Sequence, residues 1–260
     1  MDIYEANSMA WDEEVRRENY WTRPVSDFSI EKARIGKPDI WITPFKMVPQ
    51  DWLDPIRGKK VLNLCGGGGQ QTPTLAAFGC DVTTVDNSAS QIEQDKLALA
   101  NYSLKANLIK GNALDIDFPD HSFDYVIMPQ ALNFIDDIMK MYCLVRKVIV
   151  DGGHFLFGTA NPILYTFDEK VQEKRLKMKY AIPFADTVSL SQKELERRLA
   201  KKDTVEFSHT LESVLGGLIE SGFVIDGFYT DDCGSEPTDS FVHDSHLAIK
   251  AKAICRYRLS

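Results

Sequence analysis

No run in this sequence approaches the roughly 18 consecutive apolar residues that a membrane-spanning helix needs. Basic residues are not in excess either. The 30 Lys and Arg stand against 38 Asp and Glu, giving a formal charge of -8 and a pI near 5.2. That balance argues against nucleic acid or an anionic membrane surface as the main partner. Cysteine is sparse and odd in number, with Cys65, Cys80, Cys143, Cys233 and Cys255 scattered and no C-x-x-C pair among them. Such a set suits free thiols in a reducing compartment, and neither a disulfide framework nor a metal site is expected. The opening "MDIYEANSMAWDEE" lacks the basic-then-apolar order of a signal peptide. A cytoplasmic protein is the expectation. Internal repeats and low-complexity tracts are also missing, so the 260 residues read as one domain with one substantial core.

What is present is an alternation. Apolar runs at residues 61–64, 82–85, 125–128 and 155–157, with a weaker one at 107–110, are separated by helical segments at 70–78, 90–102 and 135–148. This order implies a doubly wound α/β fold: a parallel sheet with helices on both faces. Residues 151–153, "DGG", read as a stop for the third helix. Beyond Ala160 the pattern breaks into a charged, proline-interrupted stretch, and a last helix then ends near Gly222. Strand-like runs at 223–230 and 247–253 finish the chain. Residues 1–55 thus form a helical extension or cap, 56–160 the core, 161–208 an insertion and 209–260 the end of the sheet.

Chemistry concentrates at residues 61–79, "VLNLCGGGGQQTPTLAAFG", where four glycines join a strand to a helix. Glycines there let the backbone turn sharply and approach a ligand closely. A phosphate-binding loop would continue Gly-Lys-Ser/Thr, but Gln70, Gln71 and Thr72 follow. A dinucleotide fingerprint needs a third glycine where Gln71 stands. The expected ligand therefore lacks a diphosphate. Asp86 closes the second strand about 20 residues on, placed to accept both ribose hydroxyls of an adenosine ligand. The competing reading makes it a helix N-cap, a task open also to Asn87 or Ser88. Ligands of open sheets bind outside the carboxyl ends of the strands, so the third strand end brings in Asn112 and Ala113 and the fourth Gln130. Asn112 offers a side chain, and Ala113 a backbone N–H, to an adenine edge; an ordinary polar turn is the alternative.

In order, "VLNLCGGGG", "VDNS", "GNA", "FPDHSFDYVIM" and "VDGGHFLF" resemble a class I S-adenosylmethionine-dependent methyltransferase over residues 58–160. The flanking strings "AWDEEVRRENYW" and "FSHTLESVLGGLIESGF" are similar to a bacterial small-molecule subgroup. The resemblance implies a Rossmann-like, seven-stranded sheet with its last strand antiparallel. It also implies S-adenosyl-L-methionine as methyl donor and S-adenosyl-L-homocysteine as product. Asn63, Cys65, Gly66 and Gly67 would then lie along the methionyl arm, Asp86 with Asn87 at the ribose, Asn112 and Ala113 at the adenine, and Gln130 near the sulfonium. Two positions depart from the family pattern. Asn63 replaces a usual acid, and Cys65 the commonest first glycine.

Of His121, His154, His209, His243 and His246, the sequence singles out His209, at the start of the late helix, as a candidate base; a surface or capping histidine is the alternative. A base contributes about 10²–10⁴-fold, whereas alignment of the reactants alone supplies roughly 7–11 kcal/mol. No indispensable base is expected. Tyr4, Trp11, Tyr20 and Trp21 crowd the first 21 residues and, with Tyr165 of the insertion, read as a lid over a small-molecule acceptor. Residues 170–202 hold ten Lys and Arg against four acids, a pattern usual for a solvated helix face. Two other functions stay open: a non-catalytic S-adenosylmethionine-binding regulatory module and a nicotinamide-dependent oxidoreductase.

Overall fold

The computed structural model describes residues 2–168 and 176–255. Part of the basic run therefore lies outside the described residues. The strands are β1 (Lys60–Leu64), β2 (Asp81–Asp86), β3 (Asn107–Lys110), β4 (Phe123–Met128), β5 (Ile149–Ala160), β6 (Phe184–Ala185), β7 (Phe207–Ser208), β8 (Phe223–Asp231) and β9 (His246–Ala253). Seven of them form one sheet in the order β3-β2-β1-β4-β5-β9-β8. The pairs from β3 through β5 are parallel, and β9 runs antiparallel to both of its neighbours. The short β6 and β7 pair separately. This is the doubly wound sheet expected, with its last strand reversed.

The helices are α1 (Ile3–Arg16), α2 (Asp27–Arg34), α3 (Gln50–Leu53), α4 (Gln71–Phe78), α5 (Ala89–Asn101), α6 (Ile138–Val148), α7 (Asp186–Ser189), α8 (Gln192–Ala200) and α9 (Gly217–Glu220). The two-residue period of the strands splits the core into two layers. Leu62, Leu64, Val126, Met128, Phe155 and Phe157 pack toward α6 and α9. Val61, Tyr125, Ile127 and Leu156 pack toward α2, α3 and α4. The late helix is not uniform: a π-helical turn at Glu212–Gly216 leads into α9. A Cβ on Gly217 would fall 2.5 Å from Met139 Sδ, so this glycine allows the close approach to α6.

Two boundaries differ from the sequence reading. The third helix begins at Ile138 because Asp137 caps it, its side chain accepting from the Lys140 N–H. The "DGG" segment does not close that helix but lies inside β5. There the register against β4 shifts between Phe123 and Tyr125, and Gly152 takes a φ of 80°. It is a bulge, which a glycine in the left-handed region accommodates.

The N-terminal helix is fastened at both sides. The buried Asn7 side chain accepts from the Val205 N–H at 2.7 Å and donates to the Val205 carbonyl at 3.1 Å, tying α1 to the insertion. On the other side Ser8 donates to the Asn87 carbonyl, and Asp12 accepts from the Ser88 hydroxyl and Ser90 N–H at the start of α5. Asn7→Ala would leave both polar groups of fully buried Val205 unpaired. At about 1–3 kcal/mol for each of the two groups left unpaired, the loss of stability should be roughly 2–6 kcal/mol in denaturant unfolding. An unchanged midpoint would show that α1 is not fastened there.

Candidate active site

The chain leaves β1 for β2 on one side and returns to place β4 on the other, so the sheet order reverses between these strands. A crevice forms outside their carboxyl ends. It holds a cavity of about 710 Å³, within the range of small-molecule sites.

The glycine loop forms one wall, with Cys65, Gly66 and Gly67 lining the cavity. Its shape is set from below by a buried polar cluster. Asn63 Nδ2 donates to the Gly66 carbonyl at 2.9 Å and to Thr72 Oγ1 at 3.1 Å, and Asp95 accepts from the Gly69 N–H and the Thr72 hydroxyl, each at 2.7 Å. A Cβ on Gly66 would lie 2.1 Å from Asn63 Oδ1, which makes glycine obligatory there. Asn63 does not line the cavity. Its amide is used in holding the loop from beneath, which corrects its expected place along the ligand. Cys65 adopts a φ of 55°, so it takes the left-handed backbone that glycine adopts most cheaply. Burial and the nearby Asp86 push its thiol well up, so it stays protonated.

Asp86 sits at the end of β2, 6% exposed. One carboxylate oxygen accepts from the Gly67 N–H at 3.0 Å and the other from the Ser88 N–H at 2.9 Å. Ser88, whose hydroxyl accepts from the Gln91 N–H, supplies the cap of α5. Desolvation raises the Asp86 pKa to about 6; the backbone N–H groups oppose that shift and the charge of Asp12 adds to it. Two oxygens can accept about four hydrogen bonds, so capacity remains for hydroxyls of a ligand. Asn87, Gln91, Asn112 and Ala113 continue the same wall, with Asn112 accepting from the Leu114 N–H at 2.9 Å.

Across the crevice, Gln130 follows β4 with a φ of 34° and donates its N–H to the Ile42 carbonyl at 3.2 Å. The 41–47 segment thus crosses the strand ends, bridged on itself between Trp41 and Met47. Asp231 holds it by accepting from the Phe45 and Lys46 N–H groups at 2.7 and 2.8 Å. A Cβ on Gly158 would fall 1.5 Å from the Ile42 oxygen, so the crossing depends on that glycine. Tyr4, Trp11 and Trp21 line the cavity from the N-terminal side together with Trp41 and Pro44. Trp11 meets Phe134 edge to face at 5.5 Å, and Trp21 meets Phe45 at 5.8 Å.

Besides Asn63, three expected residues lie elsewhere. Tyr20 is 64% exposed and meets Trp21 edge to face at 5.0 Å, and it does not line the cavity. Tyr165 lines a second chamber under the insertion, where its hydroxyl donates to Glu206 at 2.7 Å. His209 lines neither space. Its Nε2 lies 2.8 Å from the Ile135 carbonyl, an acceptor, so the ring donates there and fastens the loop after β4. Burial lowers its pKa. As the candidate base facing the donor it is therefore corrected. Conversely, Trp41, Gln71, Gln91, Asn133 and His246 line the cavity and were not singled out by sequence. Glutamines and asparagines carry no motif; only the fold brings them together.

Among the described residues no helix is long and apolar enough to cross a membrane, and no group of three His, Cys, Asp or Glu could hold a metal ion.

A methyltransferase-domain family matches residues 62–157, the stretch from β1 to β5 that builds the glycine loop and the strand ends. Over 239 residues the chain is 38% identical to the uncharacterized methyltransferase YbaJ of Bacillus subtilis, covering 91% of this chain and 93% of that protein. It is 30% identical over 145 residues to a demethylmenaquinone methyltransferase of Staphylococcus aureus, spanning 58% of that protein. An S-adenosylmethionine-dependent methyltransferase of Mesorhizobium loti shares the fold with a TM-score of 0.59 at 19% identity, over 76% of this chain and 92% of that one. The chain belongs to the class I S-adenosylmethionine-dependent methyltransferases.

The residues present fit that donor. Gln71 Oε1, Gln91 Oε1, Gln130 Oε1 and Asn133 Oδ1 are buried without a partner, and all four residues line the cavity. Unpaired amide oxygens, with no arginine among the lining residues, suit a ligand that carries ammonium and sulfonium charges rather than phosphates. Hydroxyl donors favour the ionised Asp86, so binding should lower its pKa and release a proton near pH 6. Affinity for S-adenosylhomocysteine should therefore rise about fourfold from pH 5.5 to 7.5 if only the ionised form binds. Calorimetry checks this, and equal affinity at both values would remove Asp86 from the contact.

Proposed function

We propose that the protein transfers the methyl group to a small-molecule acceptor. The observation that carries this reading is the roof: α1, the turn Tyr20–Thr22 and the 41–47 segment line one side of the cavity with Tyr4, Trp11, Trp21, Trp41 and Pro44. Aromatic groups on that side of the crevice favour an acceptor small enough to enter it. The match to a demethylmenaquinone methyltransferase supports a small acceptor in kind, without fixing its identity.

In this reading Asp86 binds the ribose, Asn112 and Ala113 flank the adenine, and Cys65, Gly66 and Gly67 follow the methionyl arm. Asn87 lies beside the ribose, and Gln130 stands toward the sulfonium. The donor supplies a reactive, positively charged methyl group. The chain's own work is to hold it in line with the acceptor and to keep water out, and alignment alone supplies roughly 7–11 kcal/mol. Tyr4 lies near enough to Asp86 for the carboxylate, after burial itself, to raise its pKa, which keeps the phenol neutral over the donor.

Tritiated methyl S-adenosylmethionine incubated with the low-mass fraction of a bacterial extract should yield a labelled small molecule. Binding of the donor without any transfer would favour the non-catalytic module. Trp11→Ala removes the contact with Phe134, worth about 0.5–1.5 kcal/mol. Transfer should fall because the cover over the site is loosened, with affinity for S-adenosylhomocysteine changed less. Full-rate transfer by this variant would show that the Trp11–Phe134 contact of the roof is not needed for transfer.

A further inference from the structure

A second chamber of about 460 Å³ lies beneath the insertion. It shares three lining residues with the donor cavity, Gln130, Asn133 and His246, which form the partition between the two spaces. Its walls include Tyr165, Phe167, Tyr180 and Phe184, with Tyr165 and Tyr180 packed against Phe184 at 5.5 and 5.0 Å. On the second-chamber side the Tyr165 hydroxyl donates to Glu206 at 2.7 Å.

His246 begins β9, opposite Ala160 at the end of β5. Its Nδ1 lies 3.2 Å from the Asp232 carbonyl oxygen. A carbonyl only accepts, so Nδ1 carries the ring's hydrogen and Nε2 keeps a lone pair. His209, by contrast, commits its Nε2 to a carbonyl.

Resting on the proposed small-molecule reading, we propose that the acceptor occupies the chamber beneath the insertion, reaches the donor through the partition, and gives its proton to His246 Nε2. The acceptor this arrangement takes has a planar ring, which the aromatic walls accommodate, and a reacting atom that carries a proton. That atom forms a bond to the methyl carbon while the carbon–sulfur bond breaks and its electron pair stays on sulfur. The acceptor's proton goes to Nε2 and from there to water. No oxidant, reductant or metal enters the balance.

Charge around the ring is compatible with this task. Burial lowers the pKa of His246, against the Asp232 carbonyl and the charges of Asp231 and Asp239, which raise it. On the cavity sides the charged lining groups are Asp2, Asp86, Asp136 and Lys140 in one space, and Asp168, Glu194, Arg197, Arg198, Lys201, Asp203 and Glu206 in the other. The imidazole is neutral at pH 7 and able to accept.

Two measurements test this. Nitrogen-detected NMR of the whole protein should find His246 as the Nδ1–H tautomer, titrating below pH 6.5; an Nε2–H tautomer overturns the proposal whether or not any acceptor is known. In the labelled-extract assay at saturating donor, wild-type transfer should rise with pH through that titration and then level. His246→Gln should lose this limb and fall about 10²–10⁴-fold, with S-adenosylhomocysteine affinity within twofold of wild type. A variant that keeps both rate and limb overturns the role of His246. Absence of transfer by the wild type overturns the proposed function instead, and the NMR result still decides the tautomer.

Discussion

A buried carboxylate sets the terms for this structure. Asp86 is taken out of water at the end of β2, and the compensating hydrogen bonds come from two backbone N–H groups, those of Gly67 and Ser88. Those two bonds fix the height of the glycine loop and the start of α5 together. Displacing either element would leave a buried charge without its donors, which costs far more than losing an exposed one. The same corner anchors the roof, because Ser88 and Ser90 donate to Asp12 and the Asn87 carbonyl accepts from Ser8. The donor wall and its cover are therefore one assembly.

The second constraint is close approach. Gly66 rests on the Asn63 side-chain amide and Gly158 on the Ile42 carbonyl, so neither the loop nor the 41–47 crossing leaves room for a Cβ at these positions. Between them the amide oxygens of Gln71, Gln91, Gln130 and Asn133 are left unpaired. Such groups are costly without a ligand, and a cationic ligand makes use of them. At this crevice the fold spends some stability on a prepared electrostatic environment.

Much of the donor half was legible in the sequence. The apolar runs from 61 to 157 alternate with helical segments, and only a parallel sheet satisfies that pattern; Asp86 and the glycines then fall at strand ends by counting. The limits came where a residue's role depends on distant neighbours. The place of Asn63 in the motif suggests a ligand contact, but Thr72 and the Gly66 carbonyl claim its amide. His209 and His246 are equally plain histidines in sequence. Only the backbone carbonyl that each one meets, Ile135 for the first and Asp232 for the second, separates an occupied Nε2 from a free one. The 41–47 segment carries no periodic signal, since its seat on Gly158 and Asp231 is set more than a hundred residues away. The "DGG" bulge misleads for a related reason: a glycine that ends a helix and one that bends a strand look alike locally.

The most direct test of the central claim is a crystal structure of the protein with S-adenosylhomocysteine. Both ribose hydroxyls should lie within hydrogen-bond distance of Asp86, with the adenine beside Asn112 and Ala113 and the sulfur turned toward Gln130. A ligand bound with its ribose away from Asp86, or seated outside the crevice between β1 and β4, would contradict the assignment.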